Sequence, residues 1–213
     1  YGPDLISDFA CDFIEANKEK PFFLYYPMAL VHCPFDYTPE SEGWEENNLG
    51  SLTYKGNPEY FADMVAYTDK IVGKIIDQLE ASGVRENTLI IFTGDNGTDK
   101  PIVSMMGDQE VIGSKSIPIE WGTHVPFVAS WPRSIPKGSF NSDLIDFSDM
   151  LPTICEAAGI DVPVDPLLTG RSFLPQLKGE QGEPREWLYC WYHPRGHNDL
   201  KIFTRTEQYK LYK

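Results

Sequence analysis

The stretch TLIIFTGDNGT, from Thr88 to Thr98, decides the fold that the sequence predicts. Residues 89–93 form an apolar run rich in β-branched and aromatic side chains, and Gly94-Asp95-Asn96-Gly97 halts that run. A continuous run of this length is typical of a strand buried on both faces, as in a parallel sheet covered by helices. The stretch therefore predicts an α/β fold built around this strand.

Asp95 and Asn96 stand directly after the predicted strand. In open α/β sheets, ligands bind just beyond the carboxyl ends of the strands. A carboxylate beside a carboxamide between two glycines offers hard oxygen ligands on a tight turn, which suits Ca²⁺ or Mg²⁺. Asp-Asn-Gly is also ordinary turn chemistry. This segment alone therefore leaves two interpretations open, a cation site and a plain strand-ending turn.

Length and charge restrict the class of protein. The 213 residues suffice for one substantial domain, or one and a half. The chain carries 32 acidic against 18 basic residues, a formal net charge of −14, which argues against nucleic acid or an anionic membrane as the main partner. The longest apolar run, Pro21–Val31, is too short to span a bilayer, which needs about 20 residues.

The four cysteines are scattered and form no C-x-x-C pair; they are Cys11, Cys33, Cys155 and Cys190. Neither a zinc ribbon nor a thioredoxin-type motif is therefore predicted. Scattered buried thiols are the simpler interpretation, and a disulfide stays open. No signal peptide opens the chain, and its first residue is Tyr1 rather than methionine, so we expect a processed or truncated piece.

Hydrophobic periodicity predicts three helices, over Asp4–Asn17, Glu59–Ser82 and Asp146–Ile160. Gly83 is well placed as the C-terminal cap of the second helix, and Gly159 marks the end of the third. The first helix has a predicted apolar face, which consists of Leu5, Ile6, Phe9, Ala10, Phe13 and Ile14.

A second buried strand is predicted from Phe22–Tyr26 and the apolar residues up to Val31. His32 follows at once, so it is expected at the same edge of the sheet as Asp95. A lone histidine after a strand is more often structural than catalytic. The next residues, Asp36–Pro58, have no clear period and predict a long binding loop or lid.

The second half of the chain alternates irregular and regular stretches. Asp99–Thr123 reads as an irregular loop containing Lys115, and Val125–Trp131 predicts a short third strand. The tail holds short aromatic and β-branched segments that predict a small antiparallel sheet. We therefore divide the chain into an α/β domain over residues 1–178 and the start of a C-terminal antiparallel subdomain over residues 179–213.

Six segments in one order resemble the sulfatase family, within the alkaline-phosphatase-like superfamily. The segments are FFLYYPMALVHCPF, DKIVGKIIDQLEASGVRENT, LIIFTGDNGTDKP, GSKSIPIEWGTHVPFVASWP, DFSDMLPTICEAAGI and LTGRSF. Each segment alone is a weak signal, and the ordered set is a strong one. The resemblance covers nearly the whole chain and matches the central and C-terminal part of a sulfatase.

The resemblance implies roles for four residues. Asp95 and Asn96 match the pair that coordinates a divalent cation, usually Ca²⁺. Lys115 matches the lysine that contacts the sulfate group, and His32 matches the histidine that helps to protonate the leaving oxygen. These roles agree with the chemistry, because cleavage of a sulfate ester builds charge that a cation, a lysine and an acid can stabilise.

Two departures from the family pattern matter. The C/S-x-P-x-R motif, whose cysteine or serine becomes formylglycine, does not occur here, and neither do the N-terminal acidic metal ligands. We therefore expect the chain by itself to be inactive. The family often has arginine where this chain has His124, and we interpret His124 as structural. His193 and His197 are interpreted as surface residues.

The sequence as a whole predicts an alkaline-phosphatase-like α/β fold with a mostly parallel sheet and a partial C-terminal antiparallel sheet. The resemblance implies a parent enzyme that hydrolyses a small-molecule or carbohydrate sulfate ester in a periplasmic, secreted or lysosomal compartment. Two alternatives stay open: a phosphoester hydrolase of the same superfamily, and a non-catalytic binding module or pseudoenzyme.

Overall fold

The computed structural model describes residues 1–47, 49–165, 167–194 and 199–213. Contacts group them into two units. The first unit comprises Tyr1–Thr88, Asp95–Ile117 and Trp121–Val125. The second comprises Leu89–Gly94, Pro118–Glu120 and Pro126–Lys213. The domain boundary expected between residues 178 and 179 stays a prediction. Within the described ranges, no helix combines the length and the apolarity needed to cross a membrane.

The regular elements are numbered in chain order. The helices are α1 (Gly2–Asn17), α2 (Phe61–Ala81), α3 (Glu120–Thr123), α4 (Met150–Ala158) and α5 (Leu174–Leu177). The strands are β1 (Ile90–Thr93), β2 (Val103–Met106), β3 (Gln109–Ile112), β4 (Phe127–Ser130), β5 (Leu188–Tyr192), β6 (Lys201–Arg205) and β7 (Lys210–Tyr212). All three predicted helices are confirmed, as are the strands predicted after Thr88, at Val125–Trp131 and in the tail.

Helices α1 and α2 pack together in the first unit through polar contacts around a small buried seam. The Tyr67 hydroxyl donates a hydrogen bond to the Asp4 carboxylate at 2.7 Å, and the Lys74 ammonium donates to the Ser7 hydroxyl at 3.0 Å. Ala10 and Ile14 are almost fully buried. At its end, α2 is closed by Gly83, whose φ of +74° suits a left-handed cap.

The buried face of α1 differs from the expected one. Leu5 and Phe9 are each 70% exposed and Ile6 is 49% exposed, whereas Ser7 is fully buried. The reason is the position of Lys74 on α2, whose ammonium bonds to Ser7 and pairs with Asp8. These polar contacts turn the serine side of α1, rather than its leucine side, toward α2.

The segment Phe22–Tyr26 is not a strand, so that prediction is wrong. Exposure alternates residue by residue from 21 to 30, as expected for extended backbone, but the described residues provide no ladder partner for it. Phe22 packs edge-on against Phe13 of α1, while Phe23 and Tyr25 are 66% and 76% exposed. The apolar composition correctly indicated an extended backbone. A β-strand also needs a hydrogen-bonded neighbouring strand, and composition does not predict that.

The core of the first unit lies where that segment ends. Cys33, Phe35, Met64 and Ile102 form one buried cluster. The Phe35 ring meets that of Phe61 edge-on, with centroids 5.7 Å apart. The cluster therefore joins α2 to two loops, one on each side of it in the sequence.

The stretch Asp99–Thr123 is less irregular than expected, because β2 and β3 form an antiparallel hairpin within it. Met106 pairs with Gln109 across a two-residue loop. Gly107 begins that loop with a φ of +61°, as primed hairpin turns require. The Gly-Asp pair at 107–108 was a signal for this hairpin that the apolar periodicity did not reveal.

In the second unit, β1 pairs antiparallel with β4, with Ile90 opposite Ser130 and Thr93 opposite Phe127. The mostly parallel sheet expected around β1 is not among the pairings of the described residues, where all strand ladders are antiparallel. Phe92 is accordingly 38% exposed rather than buried on both faces. An apolar run predicts a strand, but it does not predict which strand pairs with it or in which direction.

The start of α4 is held by a buried ion pair. Asp149 is 1% exposed. Its carboxylate accepts hydrogen bonds from the Arg185 guanidinium, from the backbone N–H of Arg171 at 2.8 Å and from that of Asp146 at 3.0 Å. Burial alone would raise the pKa of Asp149, but these donors together lower it below its ordinary value.

The predicted C-terminal sheet is confirmed as three antiparallel strands in the order β5-β6-β7. Cys190 pairs with Phe203, and Phe203 pairs in turn with Tyr212. Phe203 is buried, while Trp191 and Leu211 on the opposite face are 58% and 74% exposed. The alternation along these strands therefore matches the period of two that the sequence shows.

We predict that Asp149→Asn lowers the free energy of unfolding at pH 7 by about 3–5 kcal/mol, because it leaves the mostly buried Arg185 without its countercharge. Glu156→Gln, an exposed change on the same helix, should stay within about 0.5 kcal/mol of wild type. Urea unfolding checks both variants.

The same pair predicts a pH dependence. The folded-state pKa of Asp149 is lowered, so its contribution is present above the unfolded pKa of about 3.9 and is lost as pH falls through the folded value. The stability difference between wild type and Asp149→Asn should therefore shrink below about pH 4. A difference that grows on acidification would contradict the ion pair.

Candidate active site

A cavity of about 300 Å³ lies within the first unit, lined by four pairs of consecutive residues: 32–33, 54–55, 99–100 and 115–116. Two of the pairs contain the predicted catalytic residues His32 and Lys115. The fold thus brings to one cavity a histidine and a lysine that are far apart in the sequence. Asp95 and Asn96, the predicted metal ligands, are not among the lining residues.

His32 is exposed and is oriented by its own neighbour. Its backbone N–H donates to the Ala29 carbonyl at 2.9 Å, and ring atom Nδ1 lies 2.7 Å from the Cys33 carbonyl oxygen. A carbonyl oxygen can only accept, so this contact assigns a proton to Nδ1 and leaves Nε2 as the other ring nitrogen. A protonated His32 can therefore donate from Nε2 while keeping its bond to Cys33.

Lys115 is placed by backbone contacts rather than by its side chain. Its N–H donates to the Thr98 carbonyl at 2.9 Å, and the N–H of Gly113 donates to the Ile102 carbonyl at 2.8 Å. A Cβ atom at Gly113 would overlap the carbonyl oxygen of Asp99. Only glycine permits this approach, which holds Lys115 next to the loop carrying Asp99.

A second close approach fixes the turn after β1. The N–H of Gly97 donates to the Gly122 carbonyl at 3.0 Å, and a Cβ atom at Gly97 would overlap the carbonyl oxygen of Trp121. The turn containing Asp95 and Asn96 is therefore locked at its C-terminal end to the residues around Gly122.

An ion pair crosses the cavity wall between Lys55 and Asp99, which are 44 residues apart. Burial would raise the pKa of Asp99, but the Lys55 ammonium, the backbone N–H of Lys100 and the charge of Lys115 together lower it. The bond to Asp99 likewise raises the pKa of Lys55. The pair therefore stays ionised at neutral pH, in a wall that is otherwise basic.

The buried core supports this cavity. Cys33 both lines the cavity and belongs to the core cluster. Phe35 donates its backbone N–H to the Lys55 carbonyl at 2.9 Å, and Ile102 donates its N–H to the Asp99 carbonyl at 3.1 Å. Two buried side chains thus anchor the two loops that carry the ion pair.

The cation site is incomplete on the side chains present. Asp95 is exposed and Asn96 is half-buried. Across the described part of the chain, no three His, Cys, Asp or Glu side chains cluster in a way that could hold a metal ion. Ca²⁺ takes about 6–8 oxygen ligands, so Asp95 and Asn96 fit part of a coordination shell and not a whole one. Their role as metal ligands stays a prediction.

Sequence reasoning did not single out Lys55, Asp99 or Lys100. All three lie in the two segments expected to be irregular, Asp36–Pro58 and Asp99–Thr123, but no motif distinguishes them from solvated charges. Only the tertiary structure reveals them, because the ion pair forms only once the two loops meet over the core.

The other described histidines, His124 and His193, do not line the cavity. His124 is exposed. His197 lies outside the described residues.

Comparison with known proteins gives two family matches. The family model described as Sulfatase matches residues 3–160. The model described as N-sulphoglucosamine sulphohydrolase, C-terminal, matches residues 114–213. Both matches include Lys115, and the first also includes His32, Asp95 and Asn96.

Relatives and solved structures point the same way. The uncharacterized sulfatase YdeN of Escherichia coli (strain K12) is 33% identical over 201 residues, covering 91% of this chain and 34% of that protein. The crystal structure of Ps i-CgsB superposes with a TM-score of 0.77 and 27% identity, covering all of this chain and 46% of that one. A structure of the same protein in complex with k-i-k-neocarrahexaose gives a TM-score of 0.76 at 26% identity.

These matches confirm the expected alkaline-phosphatase-like α/β fold with a small C-terminal sheet. The chain spans about a third of the length of the curated relatives it matches.

We predict that Gly113→Ala lowers the free energy of unfolding by about 1–3 kcal/mol, because the added methyl group overlaps the Asp99 carbonyl oxygen and forces the two loops apart. Chemical denaturation measures the loss. Loss of the amide protection of Lys115 in hydrogen exchange would locate the damage at the bond to Thr98.

Gly73→Ala is the matched control. Gly73 lies in α2 with open space around the added methyl group, so this change should stabilise the chain by about 0.5–1 kcal/mol through helix propensity. Equal effects of the two substitutions would mean that the close approach at Gly113 does not constrain the fold.

Proposed function

This chain belongs to the sulfatase family, and on that premise we propose that the whole protein hydrolyses a sulfate ester, with the cavity of the first unit as part of its active site. The observation that carries the proposal is the meeting of His32 and Lys115 in one cavity. The sulfatase relatives support this reaction over the phosphoester and non-catalytic alternatives.

Lys115 supplies positive charge to the sulfate group. A sulfate ester carries its negative charge on non-bridging oxygens, and a fixed ammonium stabilises that charge both before and during cleavage. The bond from the backbone of Lys115 to Thr98 holds the main chain of this residue at the cavity, from which its side chain reaches the sulfate group.

His32 acts as the general acid. Cleavage of the S–O bond builds negative charge on the leaving oxygen, which takes a proton from Nε2 of protonated His32. The contact of Nδ1 with the Cys33 carbonyl oxygen keeps the ring oriented throughout this transfer.

The remaining parts of the site belong to the proposal for the whole protein. We propose a formylglycine nucleophile supplied from outside these 213 residues, and a divalent cation, Ca²⁺ or Mg²⁺, for which Asp95 and Asn96 are two of the ligands. The cation would neutralise charge on the sulfate group. The family resemblance also supports a periplasmic, secreted or lysosomal compartment.

The substrate class is proposed from the neighbours. The structure with k-i-k-neocarrahexaose contains a carbohydrate, and another neighbour, BT4656, at 25% identity and a TM-score of 0.61, is in complex with its substrate D-glucosamine-2-N,6-O-disulfate. We therefore propose a sulfated carbohydrate as substrate.

We predict that Lys115→Ala in the whole protein lowers kcat/KM toward an aryl or sugar sulfate by about 10²–10³-fold, because it removes a fixed charge from the sulfate group. Turnover assays measure the effect, and Lys20→Ala, an exposed lysine outside the cavity, serves as the control. Full activity of the Lys115 variant would refute this role. The 213-residue chain by itself should show no turnover.

We also predict that Ca²⁺ barely changes the thermal stability of the 213-residue chain. Two oxygen ligands give weak binding, and with a Kd of about 1 mM or higher, 1 mM Ca²⁺ adds only about 0.4 kcal/mol or less. Scanning calorimetry with and without Ca²⁺ checks this. A shift of Tm by several degrees would mean that the chain builds a more complete site than Asp95 and Asn96.

A further inference from the structure

The cavity is basic although the chain as a whole is strongly acidic. Among the described residues, three lysines line it, Lys55, Lys100 and Lys115, against one carboxylate, that of Asp99, which leaves two net positive charges. The whole chain carries a formal net charge of −14. A local reversal of sign inside a concave surface concentrates positive potential there and attracts anions.

The single carboxylate is already engaged. Asp99 pairs with Lys55 through its side chain and accepts the backbone N–H of Lys100 at 2.8 Å. Lys100 and Lys115 form no ion pair with any carboxylate in the described ranges. Two ammonium groups at one cavity repel each other, and an anion bound between them relieves that repulsion.

One sulfate ester does not balance this charge. A sulfate monoester carries one negative charge, which can offset at most one of the two ammonium groups of Lys100 and Lys115. Lys100 is exposed at the same cavity and has no carboxylate partner among the residues that the structure describes. Charge complementarity therefore calls for a second negative group on the molecule that binds.

Tyr54 indicates which kind of molecule could carry the two negative groups. Its ring is 71% exposed at the cavity wall, and the Lys55 ammonium lies 5.2 Å from the ring centroid. The interaction with the Cys33 thiol raises the pKa of Tyr54, so its phenol stays neutral and adds no negative charge. An exposed aromatic ring beside the Lys55 ammonium offers an apolar surface to a ring-shaped ligand.

We infer that this cavity recognises a doubly anionic sugar ring, in which Lys115 holds the scissile sulfate and Lys100, supported by the Lys55–Asp99 pair, holds a second sulfate or a carboxylate. The inference rests on the proposed function and specifies its substrate. The volume of about 300 Å³ is at the lower end of the range for small-molecule sites, which suits a single sugar unit.

The test compares Lys100→Gln with wild type in the whole protein on three substrates: a monosulfated sugar, the same sugar with a second sulfate, and the same sugar with a carboxylate. Wild type should prefer a doubly anionic sugar. Lys100→Gln should reduce that preference, the ratio of kcat/KM values, about tenfold or more, as expected for loss of a hydrogen bond to a charged group. The two doubly anionic sugars show which group is bound.

Lys20→Gln is the matched control, since it removes an equal charge from an exposed position away from the cavity. It should leave the preference unchanged. An equal loss with Lys20→Gln, or an unchanged preference with Lys100→Gln, would overturn the inference.

Calorimetric binding separates this inference from the proposed function. The 213-residue chain should bind the disulfated sugar more tightly than the monosulfated one, and Lys100→Gln should remove most of the difference. If the whole protein hydrolyses no sulfate ester, the proposed function fails, and the calorimetric comparison still decides the second anion site. Equal affinity of wild type for the two sugars would refute it.

Discussion

The close packing of backbone on backbone at Gly97 and Gly113 is the constraint on which the candidate site depends. At both positions a side chain would overlap a carbonyl oxygen of the facing segment. The approach aligns two hydrogen bonds, Gly97 to Gly122 and Lys115 to Thr98. Because these contacts involve only the main chain, they fix the distance between the two facing backbone segments. The candidate site residues on those segments are positioned by the same contacts.

Charge is organised around this frame. The chain is acidic, yet its cavity collects Lys55, Lys100 and Lys115, which would repel one another without a partner. Asp99 offsets part of that repulsion by pairing with Lys55, and its lowered pKa shows that it does so as a carboxylate. The remaining positive charge is suited to an anionic substrate. The cavity wall thus contains one ion pair, Lys55 with Asp99, and two further lysines, Lys100 and Lys115.

Local patterns predicted the elements well. Helical periodicity located α1, α2 and α4, glycines marked the ends of α2 and α4, and aromatic alternation located the C-terminal sheet. The errors concern partners. Within the part of the chain that the structure describes, Phe22–Tyr26 is extended without a ladder partner, and β1 pairs antiparallel with β4 rather than in a parallel sheet. Pairing depends on which segments meet in space, and that information is not in the composition of either segment.

The sequence by itself determined the family and the helices, because ordered motifs and periodicity are properties of the chain alone, and it predicted roles for four residues that stay predictions. Tertiary structure decided that His32 and Lys115 meet at one cavity and that Lys55, Asp99 and Lys100 join them. It also left Asp95 and Asn96 outside the lining of that cavity. Charges in two unpatterned loops become a site only when a buried core around Phe35 and Ile102 brings those loops together.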